Sequence, residues 1–216
     1  MLRKLFQALA VAALAVNPAF AQEAEPAEPA PASVNPDENI LHLDLSTGGR
    51  VTIQMFPAMA PNHVERVKTL TRQGFYDGII FHRVIDGFMA QTGDPTGTGT
   101  GGSELPDLKA EFSNFPHLRG VVSMARAQSE DSANSQFFIV FYPRFSLDNN
   151  YTAFGRVTAG MQYVDTIQRG EPPASPSRIV QASIAADGKA PPPPEALTPA
   201  PEREFSIDDL SAPINP

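Results

Sequence analysis

The stretch FHRVIDGFMAQTGD, residues 81–94, indicates the kind of fold that this chain of 216 residues adopts. It contains two short segments, 81–85 and 88–91, that are rich in apolar residues and shorter than an ordinary helix. Similar segments follow further along the chain, at 120–125, 136–140 and 152–157. Short apolar segments separated by turn residues are typical of a domain built from β-strands.

The sequence on either side of these segments adds a hairpin, a last strand and two helices. Alternating apolar residues on both sides of a Thr-Gly-Gly turn predict a hairpin over 40–55. Apolar residues at helical spacing predict helices over 57–73 and 161–168, and a last strand follows at 178–185. We therefore predict a mainly β protein, a closed barrel of about eight β-strands with two α-helices covering its open ends, since closure leaves no strand edge unpaired.

The two ends of the chain differ in composition from its centre. Residues 1–21 combine a positive start, an apolar run too short to span a bilayer and a small-x-small pattern, which predicts a cleaved signal peptide. The alternative, a buried N-terminal helix, is disfavoured by residues 22–38, an acidic linker rich in Pro and Ala. We predict a domain over 39–186, a Pro-rich, acidic and disordered tail over 187–216, and a periplasmic or secreted destination.

Charge and cysteine content exclude several classes of protein. The net charge of the whole chain is −8, but residues 39–186 contain 13 acidic and 12 basic residues, so the acidity lies in the flanks. A nearly neutral domain is a poor partner for nucleic acid. The chain has no cysteine, which excludes disulfides and thiolate metal sites. Beyond the signal peptide, no second segment is long and apolar enough to cross a membrane, so none is expected after cleavage.

Other motifs in the chain do not predict a cofactor, a metal or a hydrolase. Residues 97–102 satisfy G-x-G-x-x-G, but they lack the preceding strand and following helix of a dinucleotide site and predict a surface loop. The histidines have no partner at metal-ligand spacing on a predicted helix. They are His42, His63, His82 and His117. The serines, Ser123 included, lack a G-x-S-x-G turn, so no nucleophile with its base is visible.

The most specific signal is a series of three strings that resembles the cyclophilin family. The strings, in chain order, are FHRVIDGFMAQTGD (81–94), SQFFI (135–139) and LDNNYTAFG (147–155). The resemblance covers residues 39–186. It implies a peptidyl-prolyl cis–trans isomerase that assists the folding of exported proteins. It also implies an eight-stranded antiparallel barrel capped by two helices, in agreement with the fold predicted from the pattern.

By this resemblance, Arg83 is the catalytic residue. Rotation about an X–Pro bond breaks amide resonance, at a barrier of about 20 kcal/mol, and needs no nucleophile. In the twisted amide the proline nitrogen regains its lone pair, so a donor aimed at that nitrogen, or at the shifted carbonyl, binds the transition state more strongly than the ground state. The Arg83 guanidinium stays charged and offers several N–H groups. The alternative for this residue is a structural ion pair with a nearby acid such as Asp86.

The resemblance also implies the residues that bind the proline ring. They are Phe88, Met89, Phe138 and Leu147, for which core packing is the alternative. Tyr151 stands where many relatives have histidine, and both residue types present a flat ring and a hydrogen-bonding group to the pocket.

A second set of residues is expected to bind the backbone of the substrate. By the resemblance, Gln91 and Gln136 do so with their side chains, and Gln91 also orients Arg83. The backbone around Ala125 and Arg126 completes this set. The alternative for polar residues in strands is an outward-facing position without function.

The chain departs from the family pattern at the site. Ser146 stands where many relatives have the tryptophan that helps to bind cyclosporin and edges the proline pocket, and the chain has no tryptophan. We therefore predict weak cyclosporin binding with activity preserved. Arg126 stands where many relatives have asparagine, which adds charge at the groove.

The expected partners are proline-containing polypeptides, bound by a monomer without metal or organic cofactor. The main alternative is a binding module that holds proline segments without isomerising them. A general holding chaperone is a further alternative, and it would require an exposed apolar patch. The six residues Arg83, Phe88, Met89, Gln91, Phe138 and Leu147 together favour an enzyme.

Overall fold

A computed structural model describes residues 35–198, which form eight β-strands and two α-helices. The elements in chain order are β1 (Ile40–Leu45), β2 (Gly49–Met55), α1 (Pro61–Arg72), β3 (Arg83–Ile85), β4 (Met89–Thr92), β5 (Val121–Met124), β6 (Phe137–Val140), β7 (Ala153–Ala159), α2 (Met161–Asp165) and β8 (Ile179–Ile184). The mainly β architecture, the eight strands and the two helices are thus confirmed. The second helix is shorter than predicted, since it ends at Asp165.

All eight strands belong to one antiparallel sheet with the order β3-β4-β6-β5-β7-β2-β1-β8. Its two end strands, β3 and β8, share no ladder within the described residues. Isolated bridges, Ile80 with Arg178 and Val84 with Gly170, connect the regions around them instead. The sheet therefore curls towards a barrel. A closed barrel would have a hydrogen-bonded ladder between β3 and β8, but only single bridges lie there, so the predicted closure is not confirmed.

The core is formed by the inner face of the sheet and one face of α1. In β2, the apolar residues Val51, Ile53 and Met55 are buried and alternate with half-buried polar residues, as the period of two requires. On α1, the side chains of Val64 and Val67 are buried and form part of the helix face that packs into this core. Pro61 opens this helix, where its missing N–H removes no helical hydrogen bond.

The described structure continues past both predicted ends of the domain. A 3-10 turn at Pro36–Asn39 precedes β1, and the Arg72 guanidinium contacts both Glu38 and Asp187 at 2.9 Å. Near the other end, a 3-10 turn at Pro194–Leu197 buries the side chain of Leu197. The predicted signal peptide, most of the predicted linker and residues 199–216 of the predicted tail lie outside the described residues.

Two buried histidines make the stability of this fold sensitive to pH. The His63 side chain is fully buried, with Nδ1 at 2.6 Å from Glu111 Oε2. Both ring nitrogens of the buried His82 lack a hydrogen-bond partner within the described residues. Burial lowers the pKa of each imidazole below its ordinary value, and for His63 it outweighs the opposite effect of Glu111.

We expect the free energy of unfolding to fall as the pH is lowered from about 7 to about 5. The unfolded chain binds protons at these histidines near pH 6.5, whereas the folded chain resists protonation, so acid favours unfolding. The slope for each histidine cannot exceed about 1.4 kcal/mol per pH unit, the value for uptake of one proton. Urea unfolding across this range measures it, and His82→Leu should flatten the slope. A stability that is constant or rises towards acid would contradict the prediction.

Candidate active site

Strand register places three of the predicted site residues in one row. Arg83 at the start of β3 pairs with Gln91 in β4, and Gln91 pairs with Phe138 in β6. Side chains of directly paired residues lie on the same face of a sheet. Met89, two positions before Gln91, shares this face because successive side chains alternate. The register therefore sets an arginine beside an amide and two large apolar side chains.

These residues line a cavity of about 230 Å³, named here the proline cavity after the ring that the sequence predicts it to bind. Nine of the ten predicted site residues line it. They are Arg83, Phe88, Met89, Gln91, Ala125, Arg126, Phe138, Leu147 and Tyr151. Its floor is apolar: Met89, Phe138 and Leu147 are buried, and the rings of Phe138 and Tyr151 meet edge to face at 5.7 Å. The structure thus brings the predicted residues together on the face of β3, β4 and β6 that lies opposite the main core.

The tenth predicted residue, Gln136, lines a larger adjoining cavity of about 470 Å³, named here the outer cavity. The two cavities share Gln91, Ala125 and Arg126 as common wall. The backbone N–H of Ala125 donates to the backbone carbonyl of Gln136 at 2.9 Å, so this N–H already has a partner within the protein. A chain bound across the common wall would place neighbouring residues in the two cavities.

A chain of side-chain amides leads from the arginine to the outer cavity. Arg83 Nη1 donates to Gln91 Oε1 at 3.4 Å, and Gln91 Nε2 donates to Gln136 Oε1 at 2.8 Å. Gln136 Nε2 in turn donates to the carbonyls of Gly99 and Gly101 at 3.0 and 2.8 Å. Each amide is oriented by the next one, which restricts the rotation of the guanidinium.

On its other side, the Arg83 guanidinium is held by an acid that the sequence did not indicate. Arg83 Nε donates to Glu171 Oε2 at 2.7 Å, and both side chains are about half exposed. The backbones of Gly170 and Val84 exchange two hydrogen bonds, which hold Glu171 beside β3. Asp86, the acid considered from the sequence, instead faces Arg169 at 3.3 Å. A partner 88 positions away leaves no local pattern, so sequence spacing could not reveal it.

The Gly-rich segment 97–102 is the exposed loop that the sequence predicted, and its residues 99–102 also line the outer cavity. Asp94 holds it in place, accepting hydrogen bonds from the N–H groups of Thr96, Gly99 and Gly101 and from the Thr96 hydroxyl. Burial by itself would raise the pKa of Asp94, but these bonds outweigh it and lower the pKa to about 2. Asp94 therefore stays ionised and keeps the wall folded.

A chain of three polar side chains, two of them buried, holds the segment that carries Leu147 and Tyr151. His117 Nδ1 lies 2.8 Å from Asp148 Oδ1, and His117 Nε2 lies 2.8 Å from Ser123 Oγ. The connectivity is that of a hydrolase triad, which the sequence did not reveal because the three residues come from separate segments. Ser123 and His117 are fully buried, so no substrate reaches them. The arrangement is structural and ties the Asp148 segment to β5.

Arg126, on the common wall of the two cavities, packs against Tyr151, which lines the proline cavity alone. The Arg126 guanidinium carbon lies 4.8 Å from the centre of the Tyr151 ring, a cation–π arrangement.

Ser146, where the sequence departs from the family pattern, is exposed in a 3-10 turn at Phe145–Leu147, directly before the cavity residue Leu147. The neighbouring Phe145 is also exposed.

Comparison with known proteins agrees with this fold. Residues 42–184 match the family described as cyclophilin type peptidyl-prolyl cis-trans isomerase/CLD. A probable peptidyl-prolyl cis-trans isomerase of Brucella suis is 45% identical over 174 residues, covering 73% of this chain and 88% of the relative. Peptidyl-prolyl cis-trans isomerase B of Bacillus subtilis is 41% identical over 129 residues, covering 59% of this chain and 89% of the relative.

Solved structures show the same similarity. The cyclophilin AquaCyp293 from Hirschia baltica superposes with a TM-score of 0.66 at 29% identity, covering 72% of this chain and 76% of that structure. A Cryptosporidium parvum cyclophilin, crystallised in the presence of the dipeptide Ala-Pro, gives a TM-score of 0.63 at 28% identity. The superposition covers 67% of this chain and 98% of that structure. The chain belongs to the cyclophilin-type peptidyl-prolyl cis-trans isomerase family, and it is an enzyme of that class.

Within residues 35–198, no helix combines the length and the apolar character that a membrane span requires.

Proposed function

We propose that this isomerase holds the proline ring of a polypeptide in the proline cavity and twists the preceding amide with Arg83 as the donor. The observation that carries the proposal is the position of Arg83, which is fixed at the rim of an apolar cavity by Glu171 on one side and Gln91 on the other. The Ala-Pro dipeptide present with the Cryptosporidium parvum cyclophilin supports proline-containing polypeptides as the substrate class.

The geometry suits a reaction that needs no nucleophile. Arginine has five N–H donors, and the contacts with Glu171 and Gln91 engage the Nε donor and one on Nη1. The remaining donors are available to the proline nitrogen, which becomes a good acceptor only when the amide is twisted. Because the guanidinium is already oriented, little reorganisation is needed at the transition state. The apolar floor of Met89 and Phe138 immobilises the ring while the rest of the chain rotates.

Arg83→Ala is expected to lower kcat/KM for an Ala-Pro peptide by about two to three orders of magnitude, with the fold retained. Arg83→Lys should fall between wild type and alanine, because lysine keeps the charge but loses the planar set of donors. Exchange spectroscopy on the peptide measures the rate. Arg156→Ala, an exposed arginine on β7 outside both cavities, is the matched control. An unchanged rate in Arg83→Ala would refute the assignment.

We further propose that cyclosporin binds weakly, because Ser146 provides no indole beside Leu147 at the edge of the proline cavity. Ser146→Trp is expected to tighten cyclosporin binding by about tenfold, with Ser146→Ala as the control that leaves it unchanged. Titration calorimetry measures the affinity. Nanomolar binding by the wild type, or no gain with tryptophan, would contradict this role of position 146.

We also infer that the enzyme is exported and assists the folding of exported proteins, with its mature chain beginning at Gln22. The positive start, the short apolar run and the Ala19-Phe20-Ala21 pattern of residues 1–21 support this inference. N-terminal sequencing of the protein recovered outside the cytoplasm should give Gln22 as its first residue. Recovery of the chain with Met1 retained would overturn it.

A further inference from the structure

Arg126 occupies the border between the two cavities at the site. It lines both the proline cavity and the outer cavity, a position shared only with Gln91 and Ala125 among the described residues. Of these three it alone carries a charge. A substrate that places its proline in the proline cavity, as proposed above, therefore passes the Arg126 guanidinium with a residue close to that proline.

The Arg126 guanidinium is held in one orientation by neutral groups. Its Nε and Nη2 donate to the Asn150 carbonyl at 3.3 and 3.2 Å, and Nη1 donates to the carbonyls of Ala127 and Gln128 at 3.1 and 3.3 Å. The Tyr151 ring supports it at 4.8 Å. These contacts fix the position of the charge without cancelling it, and they leave one of the two Nη2 donors free for a ligand.

The two arginines of the site differ in whether an acid forms an ion pair with them. Arg83 forms an ion pair with Glu171, whereas Arg126 forms none within residues 35–198. One acid, Asp107, also lines the outer cavity, where it accepts a hydrogen bond from Asn134 Nδ2 at 3.0 Å. Asp107 does not line the proline cavity, so Arg126 is the nearer of the two charges to a residue bound at the border between the cavities.

We propose that Arg126 is a specificity-determining residue, and that it selects polypeptides with an acidic side chain close to the proline. A carboxylate is the ligand that a fixed guanidinium binds best, through a charge-assisted hydrogen bond. An uncharged amide of the same shape forms the hydrogen bond without the ionic attraction. The proposal rests on the proposed placement of the proline ring in the proline cavity.

The test compares pairs of proline peptides that differ only by Glu against Gln, placed at each of the two positions before and after the proline. For one position we expect the wild type to favour the Glu peptide in kcat/KM by about two- to five-fold at low salt. Because the two peptides have the same shape, their ratio isolates the charge. Added salt should reduce the ratio, since a partly exposed ion pair is screened.

Variants identify the residue responsible for the ratio. Arg126→Gln should bring the Glu/Gln ratio to about one, and Arg126→Lys should retain part of the preference. Asp107→Asn should increase the ratio, because it removes the opposing charge from the outer cavity. Arg144→Gln is the matched control: this exposed arginine lies 5.1 Å from the ring centre of the cavity residue Phe88 but lines neither cavity. Its ratio should equal that of the wild type.

The outcomes separate this inference from the proposed function. If the wild type turns over both members of every pair equally, or prefers Gln, the specificity assignment is overturned while the isomerase mechanism stands. If Arg126→Gln keeps the preference for Glu, another group selects the acid and Arg126 does not. If the wild type turns over no peptide of the series, the proposed function and the specificity fail together.

Discussion

The site depends on the pairing of β3, β4 and β6. This antiparallel register sets Arg83 opposite Gln91 and Gln91 opposite Phe138, and it turns all three towards the proline cavity. Because side chains alternate along a strand, a slip of one residue would move each of them to the other face of the sheet. Burial of the apolar face holds this register. The same packing that stabilises the core therefore also positions Arg83.

Around this row, the cavity walls come from segments without regular structure, and buried polar contacts keep them in place. Asp94 folds the Gly-rich wall of the outer cavity by accepting its backbone N–H groups. His117 joins Asp148 to Ser123 and so fixes the segment that contains Leu147 and Tyr151. Buried polar groups are costly when unpaired, so each contact strongly favours one arrangement of its segment. Specific hydrogen bonds thus set the positions of the loops that carry much of the site.

The two arginines of the site are held in different ways, and this difference shapes the field that a substrate meets. Glu171 offsets part of the charge of Arg83 while leaving donors free, which suits a group that acts on a neutral amide. Carbonyl groups and an aromatic ring hold Arg126, so its charge remains uncompensated within the described residues. The roles proposed for them follow this difference: Arg83 for the reaction, and Arg126 for recognition of the residues beside the proline.

The sequence by itself determined the strand and helix pattern, the family and the residues that line the proline cavity. Alternation and short strings are local, so residues 81–94 already contain Arg83, Phe88, Met89 and Gln91 in the order in which two adjacent strands present them. The outer limits of the domain were less accessible. Acidic, Pro-rich flanks indicate chain outside a core, yet Glu38 and Asp187 are joined to Arg72 by contacts that composition does not show.

Only the tertiary structure decided which groups meet across long distances in the chain. The partner of Arg83 is Glu171 rather than Asp86, because the bonds between Gly170 and Val84 bring a distant segment to β3. The chain of Ser123, His117 and Asp148 arises in the same way. Local periodicity reports which face of an element is buried, whereas these contacts depend on how the sheet curls and where its connecting segments return.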